Sequence, residues 1–301
     1  MDFRRLTYIV EVAKARSVTA AAHKLYISQP ALSQVLAQVE AEVGVKLFDR
    51  RESPLRLTYA GELYVATAKE ILASYETMKR RLADVAEGNE GKITLGLPVE
   101  RSGYMLPEVL AKFQKTFPQV SLLLEEGGGK RILDLLENHD VDLVILPKSE
   151  ESQEDKFQRR LIYPEEIFVL AQKPLPETQG KDYVEMKDLA AYPFILVKPG
   201  HAIRLRTDEI FRRSGVTPRI LLETASNLTA AQMASRGLGL AIVPKRTIDV
   251  LAVKDQLQAY TIGINHETWD VDVIARKDHY FTRSEEYLIQ LMQEEFSDVT
   301  L

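Results

Sequence analysis

The chain has 301 residues, of which 45% are hydrophobic and 28% are charged, and it contains no cysteine. This composition excludes disordered and fibrous proteins, and the lack of cysteine excludes disulfide bonds, thiolate metal sites and cysteine nucleophiles. The first residues do not have the pattern of a signal peptide, and no apolar run approaches the ~18 residues of a membrane span. We therefore expect a cytoplasmic protein.

Charge is distributed unevenly along the chain. Residues 1–58 carry nine Lys and Arg against six Asp and Glu, whereas the remainder carries 30 against 38. A basic first segment on an acidic body indicates a nucleic-acid contact confined to that segment.

The first 58 residues have the pattern of three short helices followed by a hairpin. Apolar residues recur at helical spacing from Phe3, and Ser17 and Ser28 are the residues expected to cap the second and third helices. Gly44 ends the third helix, and two short extended pieces follow.

The third helix has two unlike faces. Its inner face is apolar and consists of Leu32, Val35, Leu36 and Val39. Its outer face is short and mostly uncharged, with Gln29, Pro30, Ser33, Gln34, Ala37, Gln38 and Glu40. Amide and hydroxyl groups both donate and accept hydrogen bonds, which is what reading base edges in a major groove requires. With Ala21 and Ala22 at a close helix crossing, the pattern predicts a helix-turn-helix, although a structural three-helix bundle would share it.

One long helical pattern runs from Thr58 to about Glu87. Its apolar residues step alternately by four and three along the chain: Tyr64, Ala68, Ile71, Tyr75, Met78, Leu82 and Val85. This heptad spacing predicts a dimerisation helix. The alternative is an amphipathic helix that packs against its own domain.

After Gly91, strand-like runs alternate with helical stretches at about 105–116, 130–138, 203–213 and 227–235. Such alternation predicts an α/β architecture with mostly parallel sheets. A last strand pattern at 269–277 and a helix near 283–296 are placed to return to the first subdomain.

Residues 3–61 resemble the winged helix-turn-helix of LysR-type transcriptional regulators. The resemblance is carried by Ala21, Ala22, Leu25, the run "SQPALS", the Glu40 and Gly44 spacing, and "LFDR" followed by "LT" and Gly61. It continues more weakly through "VDLVILP" and "ASRGLGLAIVP", which match the family's effector domain in pattern and placement.

The resemblance implies an α/β protein with an all-α-type winged helix-turn-helix head, a long linker helix and a two-lobed effector domain similar to type 2 periplasmic binding proteins. The implied domains are the DNA-binding head at 1–58, the linker at 59–88 and the effector domain at 89–301, with lobe I at about 92–147 and 266–301 and lobe II at about 165–262. It also implies a homodimer or tetramer on an interrupted inverted repeat of double-stranded DNA. A small molecule would bind between the lobes, and RNA polymerase would be a partner of an activator.

By carry-over, the base-reading and positioning residues are Gln29, Pro30, Ser33 and Gln34, and the phosphate contacts are Ser28, Arg4, Arg5, Arg50, Arg51 and Arg56. Two positions depart from the family pattern. Gln34 stands where the family usually has arginine, and Ser53 stands where many members carry a wing arginine. Arg51 lies in the same turn and is a candidate substitute.

The effector site is expected beyond the carboxyl ends of the strands, where helix N-termini present unpaired N–H groups. The candidate residues follow four strands: Glu100, Arg101 and Ser102; Gly128, Gly129 and Lys130; Gly200, His201, Ala202 and Arg204; Ser226 and Asn227. Four cationic or titratable groups, Arg101, Lys130, His201 and Arg204, favour an anionic small molecule, while Glu100 argues against one. Gly127 to Gly129 have a purely structural alternative as a turn, and Ser102 and Ser226 have one as helix N-caps.

Two other protein classes fit the sequence less well. No HExxH, GxSxG or complete GxxxxGK[ST] motif occurs, so no catalytic residue, resident cofactor or metal site is predicted and an enzyme is disfavoured. A solute-binding protein, or a metabolite sensor that does not read DNA, would explain the body but not the basic head.

Overall fold

The structure is a computed structural model and describes residues 2–49, 54–85, 90–148, 155–178, 180–252 and 254–297. The chain divides into two compact units, Met1–Gly88 and Asn89–Leu301. Within the described residues, no helix combines the length and the apolar character that crossing a bilayer requires.

The first unit is a small helical domain with a short hairpin. Its elements are α1 (Phe3–Ala15), α2 (Val18–Lys24), α3 (Gln29–Val43), β1 (Phe48–Asp49), β2 (Arg56–Leu57) and α4 (Tyr59–Val85). The side chains of Asp2, Ser17 and Ser28 each accept a hydrogen bond from the first turn of the helix that follows, and Gly44 ends α3 in the left-handed conformation. The inner face of α3 packs with α1 and α2 in one core, which confirms the predicted order of the head.

Helix α4 uses its apolar positions in two ways. Ala68 is buried, and the ring of Tyr75 stacks on that of Phe3 with centroids 4.3 Å apart, so this part packs against α1 of the same chain. Met78 and Leu82 are 47% and 60% exposed. Ala68 and Tyr75 therefore pack against the same chain, whereas Met78 and Leu82 are open to a partner, and the dimerisation role of the seam stays a prediction. The side chain of Val85 lies outside the described residues.

The second unit is built on one twisted sheet with helices against it. The elements that begin this unit are β3 (Glu90–Leu97), α5 (Val99–Thr116), β4 (Gln119–Glu126), α6 (Gly129–Glu137), β5 (Leu143–Pro147), β6 (Phe157–Ala171) and β7 (Tyr183–Val184). The remaining elements are β8 (Pro193–Val197), α7 (Ala202–Ser214), β9 (Arg219–Thr224), α8 (Asn227–Ser235), β10 (Leu240–Pro244), α9 (Lys245–Asp249), β11 (Gln258–Ile262), β12 (Thr268–Arg276) and α10 (Arg283–Phe296). The strand order is β4-β3-β5-β12-β6-β10-β8-β9; β11 also pairs with β6, and β7 pairs with β11.

Two long strands join the halves of this sheet. Strands β3, β4 and β5 are parallel to one another, and β8, β9 and β10 form a second parallel group. Strand β6 pairs antiparallel with β12 up to Glu166 and with β10 from Ile167. The prediction of mostly parallel strands is therefore right at both ends of the sheet and wrong at its centre.

Helix α5 begins earlier than the sequence pattern indicated. It starts at Val99, directly after Pro98, rather than near residue 105. Pro98 occupies the N-cap position with extended backbone, and Glu100 places a negative charge in the first turn, where the helix dipole stabilises it. Glu100, Arg101 and Ser102 are consequently helical residues and not loop residues.

Gly61 is required by a backbone approach between α4 and β1. A β-carbon on Gly61 would lie 2.0 Å from the carbonyl oxygen of Leu47. The same carbonyl accepts a hydrogen bond from the backbone N–H of Thr58 at 3.0 Å, so it cannot easily withdraw. The hairpin and the long helix are thereby joined by main-chain contact.

We predict that Gly61→Ala lowers the free energy of unfolding of the head by about 1–3 kcal/mol, since the added methyl group has no room. The control is Gly103→Ala, which places its methyl in open space on α5 and should stabilise its own unit by up to ~1 kcal/mol. Urea unfolding followed by far-UV circular dichroism reports the helices of both units, whereas fluorescence of Trp269, the chain's single tryptophan, reports the second unit. An unchanged circular-dichroism transition in Gly61→Ala would contradict the prediction.

Candidate nucleic-acid interface and effector cleft

Helices α2 and α3 form a helix-turn-helix. Ala21 and Ala22 are buried and small enough for α3 to cross closely. The connecting turn is closed by two backbone hydrogen bonds, from Tyr26 N–H to the His23 carbonyl at 3.2 Å and from Ile27 N–H to the Ala22 carbonyl at 3.1 Å. Ser28 then accepts a hydrogen bond from Ala31 N–H at 3.3 Å and starts α3. The direction of α3 is fixed by this turn.

The outer face of α3 presents polar and uncharged groups at its amino-terminal end. Ser28, Gln29, Pro30 and Gln34 are exposed, and Ser33 is half-buried. The side-chain amide of Gln29 donates to Ser33 Oγ at 2.8 Å, which orients the amide while leaving its oxygen and its second N–H for another partner. These are the groups that a base edge in a major groove can pair with.

Glu40 does not belong to this outer face, contrary to the helical-wheel expectation. It is only 3% exposed, and its carboxylate accepts hydrogen bonds from Leu47 N–H at 3.0 Å, Phe48 N–H at 3.3 Å and Lys46 Nζ at 2.8 Å. Burial by itself would raise the pKa of Glu40, but the hydrogen bonds from Lys46, Leu47 and Phe48 outweigh it and the pKa is lowered. An ionised carboxylate on α3 thus holds the start of β1.

The predicted phosphate contacts are in different situations. Arg4 and Arg56 are exposed. Arg5 is half-buried and donates from Nη1 to the carboxylate of Glu42 at 3.1 Å, so it would have to exchange this partner for a phosphate. Arg50, Arg51 and the wing position Ser53 lie outside the described residues.

In the second unit, three predicted loops lie at helix N-termini that follow parallel strands. Gly128, His201 and Ser226 are the N-caps of α6, α7 and α8. Gly129 and Ala202 are the first residues of α6 and α7, and Gly200 has the left-handed backbone of a turn. Lys130 is exposed and His201 is half-buried. The side-chain oxygen of Asn227 is buried and has no hydrogen-bond partner among the described residues.

A direct hydrogen bond joins the two halves of the sheet across these helix ends. Glu100 on α5 accepts from Ser226 Oγ at 2.6 Å and from Leu228 N–H at 3.3 Å, at the N-terminus of α8. Ser226 also accepts from Thr229 N–H at 3.1 Å as the helix cap. Glu100 therefore pairs across to α8 and not with Arg101, and its carboxylate occupies the position where a helix N-terminus favours an anion. We call this contact the Glu100–Ser226 bridge.

Arg101 points away from these helix ends into the interior. It is 6% exposed, donates from Nη1 to the hydroxyl oxygen of Tyr163 at 2.8 Å and lies 3.5 Å from the carboxylate of Glu165. Burial raises the pKa of Tyr163, so its hydroxyl stays protonated. Glu165 also accepts from the indole N–H of Trp269 at 2.9 Å and from Arg246 N–H at 3.2 Å. Arg101 is thus part of a buried polar cluster where β6 passes between the halves of the sheet.

Arg204 is also engaged by carboxylates. Its Nε donates to Asp208 at 2.7 Å, and its Nη1 donates to the Val197 carbonyl at 3.1 Å and to the carboxylate of Glu223. Two of the four groups that favoured an anionic effector are therefore already neutralised by Glu165, Asp208 and Glu223.

Ser102 completes the set of predicted cleft residues. Its hydroxyl lies within hydrogen-bonding distance of the Val99 carbonyl, at 2.7 Å, and of the Glu126 carboxylate. Tyr163, Glu165 and Trp269 are not among the residues predicted from the sequence, although the polar run "YPEE" inside an apolar strand pattern and the single tryptophan mark them. Within the described residues, no group of three or more His, Cys, Asp or Glu is arranged to hold a metal ion.

Two family models match the chain. The model described as "Bacterial regulatory helix-turn-helix protein, lysR family" matches residues 3–62, and "LysR substrate binding domain" matches residues 86–297. The chain belongs to the LysR family of transcriptional regulators, which are DNA-binding proteins and not enzymes. Members of this family bind small-molecule effectors in the second of these domains.

Characterised and solved relatives agree with this. The transcriptional regulator BsdA of Bacillus subtilis is 27% identical over 296 residues, covering 97% of this chain and all of the relative. A full-length OxyR variant from Pseudomonas aeruginosa has the same fold, with a TM-score of 0.78 at 24% identity over 97% of this chain and 95% of that one. The fold is also that of CbnR in complex with its target DNA, with a TM-score of 0.65 at 20% identity over 98% and 99% of the two chains.

We predict that Glu40→Gln lowers the free energy of unfolding of the head by about 1–3 kcal/mol, because buried N–H groups lose a charged acceptor. Since folding lowers the pKa of Glu40, its contribution is complete above the unfolded pKa of ~4.3 and is lost as the pH falls through the folded pKa. The difference between wild type and variant should therefore be largest near neutral pH and shrink in acid.

The control for this prediction is Glu42→Gln. Glu42 lies on α3, as Glu40 does, and the substitution removes its ion pair with Arg5 of α1 at the surface. Such pairs contribute at most ~1 kcal/mol. Urea unfolding followed by circular dichroism at pH 7 and pH 3.5 provides both comparisons. Equal effects of the two substitutions at pH 7 would show that Glu40 does not hold β1.

Proposed function

We propose that this regulator reads an interrupted inverted-repeat operator through α3 and changes its DNA binding when a small molecule binds in the second unit. The proposed division is a DNA-binding head at 1–58, a linker helix at 59–88 and an effector domain at 89–301. The protein would act on the chromosome, and therefore in the cytoplasm, with RNA polymerase as a further partner if it activates transcription.

One observation carries the DNA-reading proposal. The exposed end of α3 carries Gln29, Pro30, Ser33 and Gln34, and the Gln29–Ser33 hydrogen bond orients an amide outwards before any DNA is bound. A solubilising surface would be served by charged side chains, whereas oriented neutral amides and hydroxyls suit base edges. Ser28, Arg4, Arg5, Arg50, Arg51 and Arg56 are the proposed phosphate contacts.

Exposed apolar side chains support a homodimer or a higher oligomer. Met78 and Leu82 are exposed on the second part of α4. In the second unit, Leu123 and Leu124 on β4 and residues 220–222 on β9 are exposed on the two end strands of the sheet. In two copies related by a two-fold axis, β4 of each copy could pack against β9 of the other. Both end strands of both sheets would then be covered.

We predict that Gln29→Ala relaxes sequence preference at one operator position, at a cost of ~1–3 kcal/mol for the preferred base. Arg56→Ala should weaken binding to all duplexes and reduce the salt slope by about 1. The control is Gln38→Ala, which removes an exposed amide from the opposite end of α3. Gel shifts on DNA upstream of the gene and on scrambled duplex at several salt concentrations measure all three. Equal losses on both duplexes for Gln29→Ala would contradict base reading.

We infer that the effector is a small organic carboxylate that competes with Glu100 for the N-terminus of α8. The Glu100–Ser226 bridge supports this, because the position already accommodates a carboxylate with a hydroxyl and an N–H as donors. The buried oxygen of Asn227 is available to a donor group on the same ligand. Lys130 and His201 are the remaining candidates for charge compensation, while Arg101 and Arg204 act within the protein.

We predict that Glu100→Ala lowers the concentration of carboxylate needed for half-maximal thermal stabilisation, by up to about tenfold if the bridge is formed about nine-tenths of the time. The matched control is Glu108→Ala, which removes an exposed glutamate from the same helix. A panel of small mono- and dicarboxylates, beginning with acetate and succinate, is compared with amines of similar size by thermal shift. Stabilisation by amines alone, lost in Glu100→Ala, would replace a carboxylate effector with a cationic one.

A further inference from the structure

Tyr26 occupies the C′ position after α2, which is left-handed and in helices generally is most often glycine. The two hydrogen bonds of the turn, from Ile27 N–H to Ala22 and from Tyr26 N–H to His23, are those of a Schellman motif at the end of α2. The residue at the C′ position of this motif must be left-handed, and Tyr26 has φ 55°. The turn therefore requires the backbone conformation but not the tyrosine side chain.

The protein gains no burial from this side chain. Tyr26 is 94% exposed, so its ring does not offset the strain of a bulky residue in the left-handed region. Glycine or asparagine would close the same turn at lower cost. An exposed aromatic group in a strained conformation indicates a contact with a partner.

The surroundings of Tyr26 indicate the partner. It lies two residues before Ser28, at the end of the turn that leads into the reading face of α3. His23 and Lys24 are exposed in the last turn of α2, Lys24 lies 2.7 Å from the carboxylate of Glu11 on α1, and the chain has no Asp or Glu at positions 12–39. In a helix-turn-helix, the helix preceding the reader crosses the sugar-phosphate backbone. A phenol in this place therefore faces the sugar-phosphate backbone, and the nearby carboxylate of Glu11 is already engaged by Lys24.

We propose that Tyr26 is a positioning residue for duplex DNA. Its hydroxyl donates to a phosphate oxygen and its ring packs on the adjacent deoxyribose, which fixes how deeply the amino-terminal end of α3 enters the groove. This inference rests on the proposed reading role of α3 and adds to it a neutral contact with the backbone. Being uncharged, Tyr26 releases no counterion when it binds.

The test uses Tyr26→Gly and Tyr26→Phe in the full chain. Tyr26→Gly should raise the midpoint of thermal unfolding of the head, because it removes the strain, and yet weaken binding by about tenfold, as for one hydrogen bond to a charged group with its packing. The loss should be equal on the upstream duplex and on scrambled duplex, with an unchanged salt slope. Tyr26→Phe should keep the wild-type stability and lose part of the affinity through the missing hydroxyl.

The control is His139→Gly, which changes a left-handed residue in the second unit and should leave DNA affinity unaltered. Unchanged affinity in both Tyr26 variants would overturn the inference, and so would a Tyr26→Gly protein of reduced stability, because the ring would then serve the fold. Gln29→Ala is measured in parallel. If it relaxes base preference while the Tyr26 variants bind normally, only the inference about Tyr26 fails; if none of these changes matters, the reading role of α3 fails as well.

Discussion

The buried carboxylate of Glu40 is the interaction on which the geometry of the head depends. It lies on α3, the helix whose opposite end carries the exposed amides, and it binds two consecutive N–H groups at the start of β1. A charge with so little access to water persists only when its hydrogen-bonding capacity is satisfied. Any tilt of α3 relative to the hairpin would leave Glu40 or those N–H groups unpaired. Glu40 therefore couples the orientation of α3 to the start of β1.

In the second unit, the comparable constraint lies where β6 changes partners. Tyr163 and Glu165 sit on this strand just before it leaves β12 for β10, and they bind Arg101 and Trp269 in the interior. The Glu100–Ser226 bridge lies one residue from Arg101 on the same helix. Because Glu100 and Arg101 are consecutive residues of α5, a rearrangement at the bridge would act directly on the polar cluster at the centre of the sheet. This arrangement suits a domain in which a ligand alters the relation of two half-sheets.

Much of the architecture was predictable from the sequence, because helical spacing, capping residues and alternating strand patterns are local signals. The order of α1, α2 and α3 and the position of α10 follow from them. For strand β6, the sequence pattern predicts only the second part, "EIFVLAQ". The first part contains charged residues and Pro164, which are not typical of a strand in the middle of a sheet. The early start of α5 was missed because its first turn, "VERS", is polar and resembles a loop.

Three charged residues that the sequence places on helix faces have partners in the structure, and their roles at the candidate sites stay predictions. Glu40 and Arg204 have partners close in sequence, Lys46 and Asp208, whereas the partner of Arg101, Glu165, is one that the sequence alone does not bring near. Glu165 is 64 positions from Arg101 in the chain and is brought to it only by the tertiary fold, through strand β6. The main-chain approach at Gly61 has a different consequence. Since Leu47 and α4 meet backbone to backbone, the direction in which α4 leaves β1 does not depend on exposed side chains. Substitutions on the outer face of α3 that alter DNA preference can therefore accumulate without changing that direction.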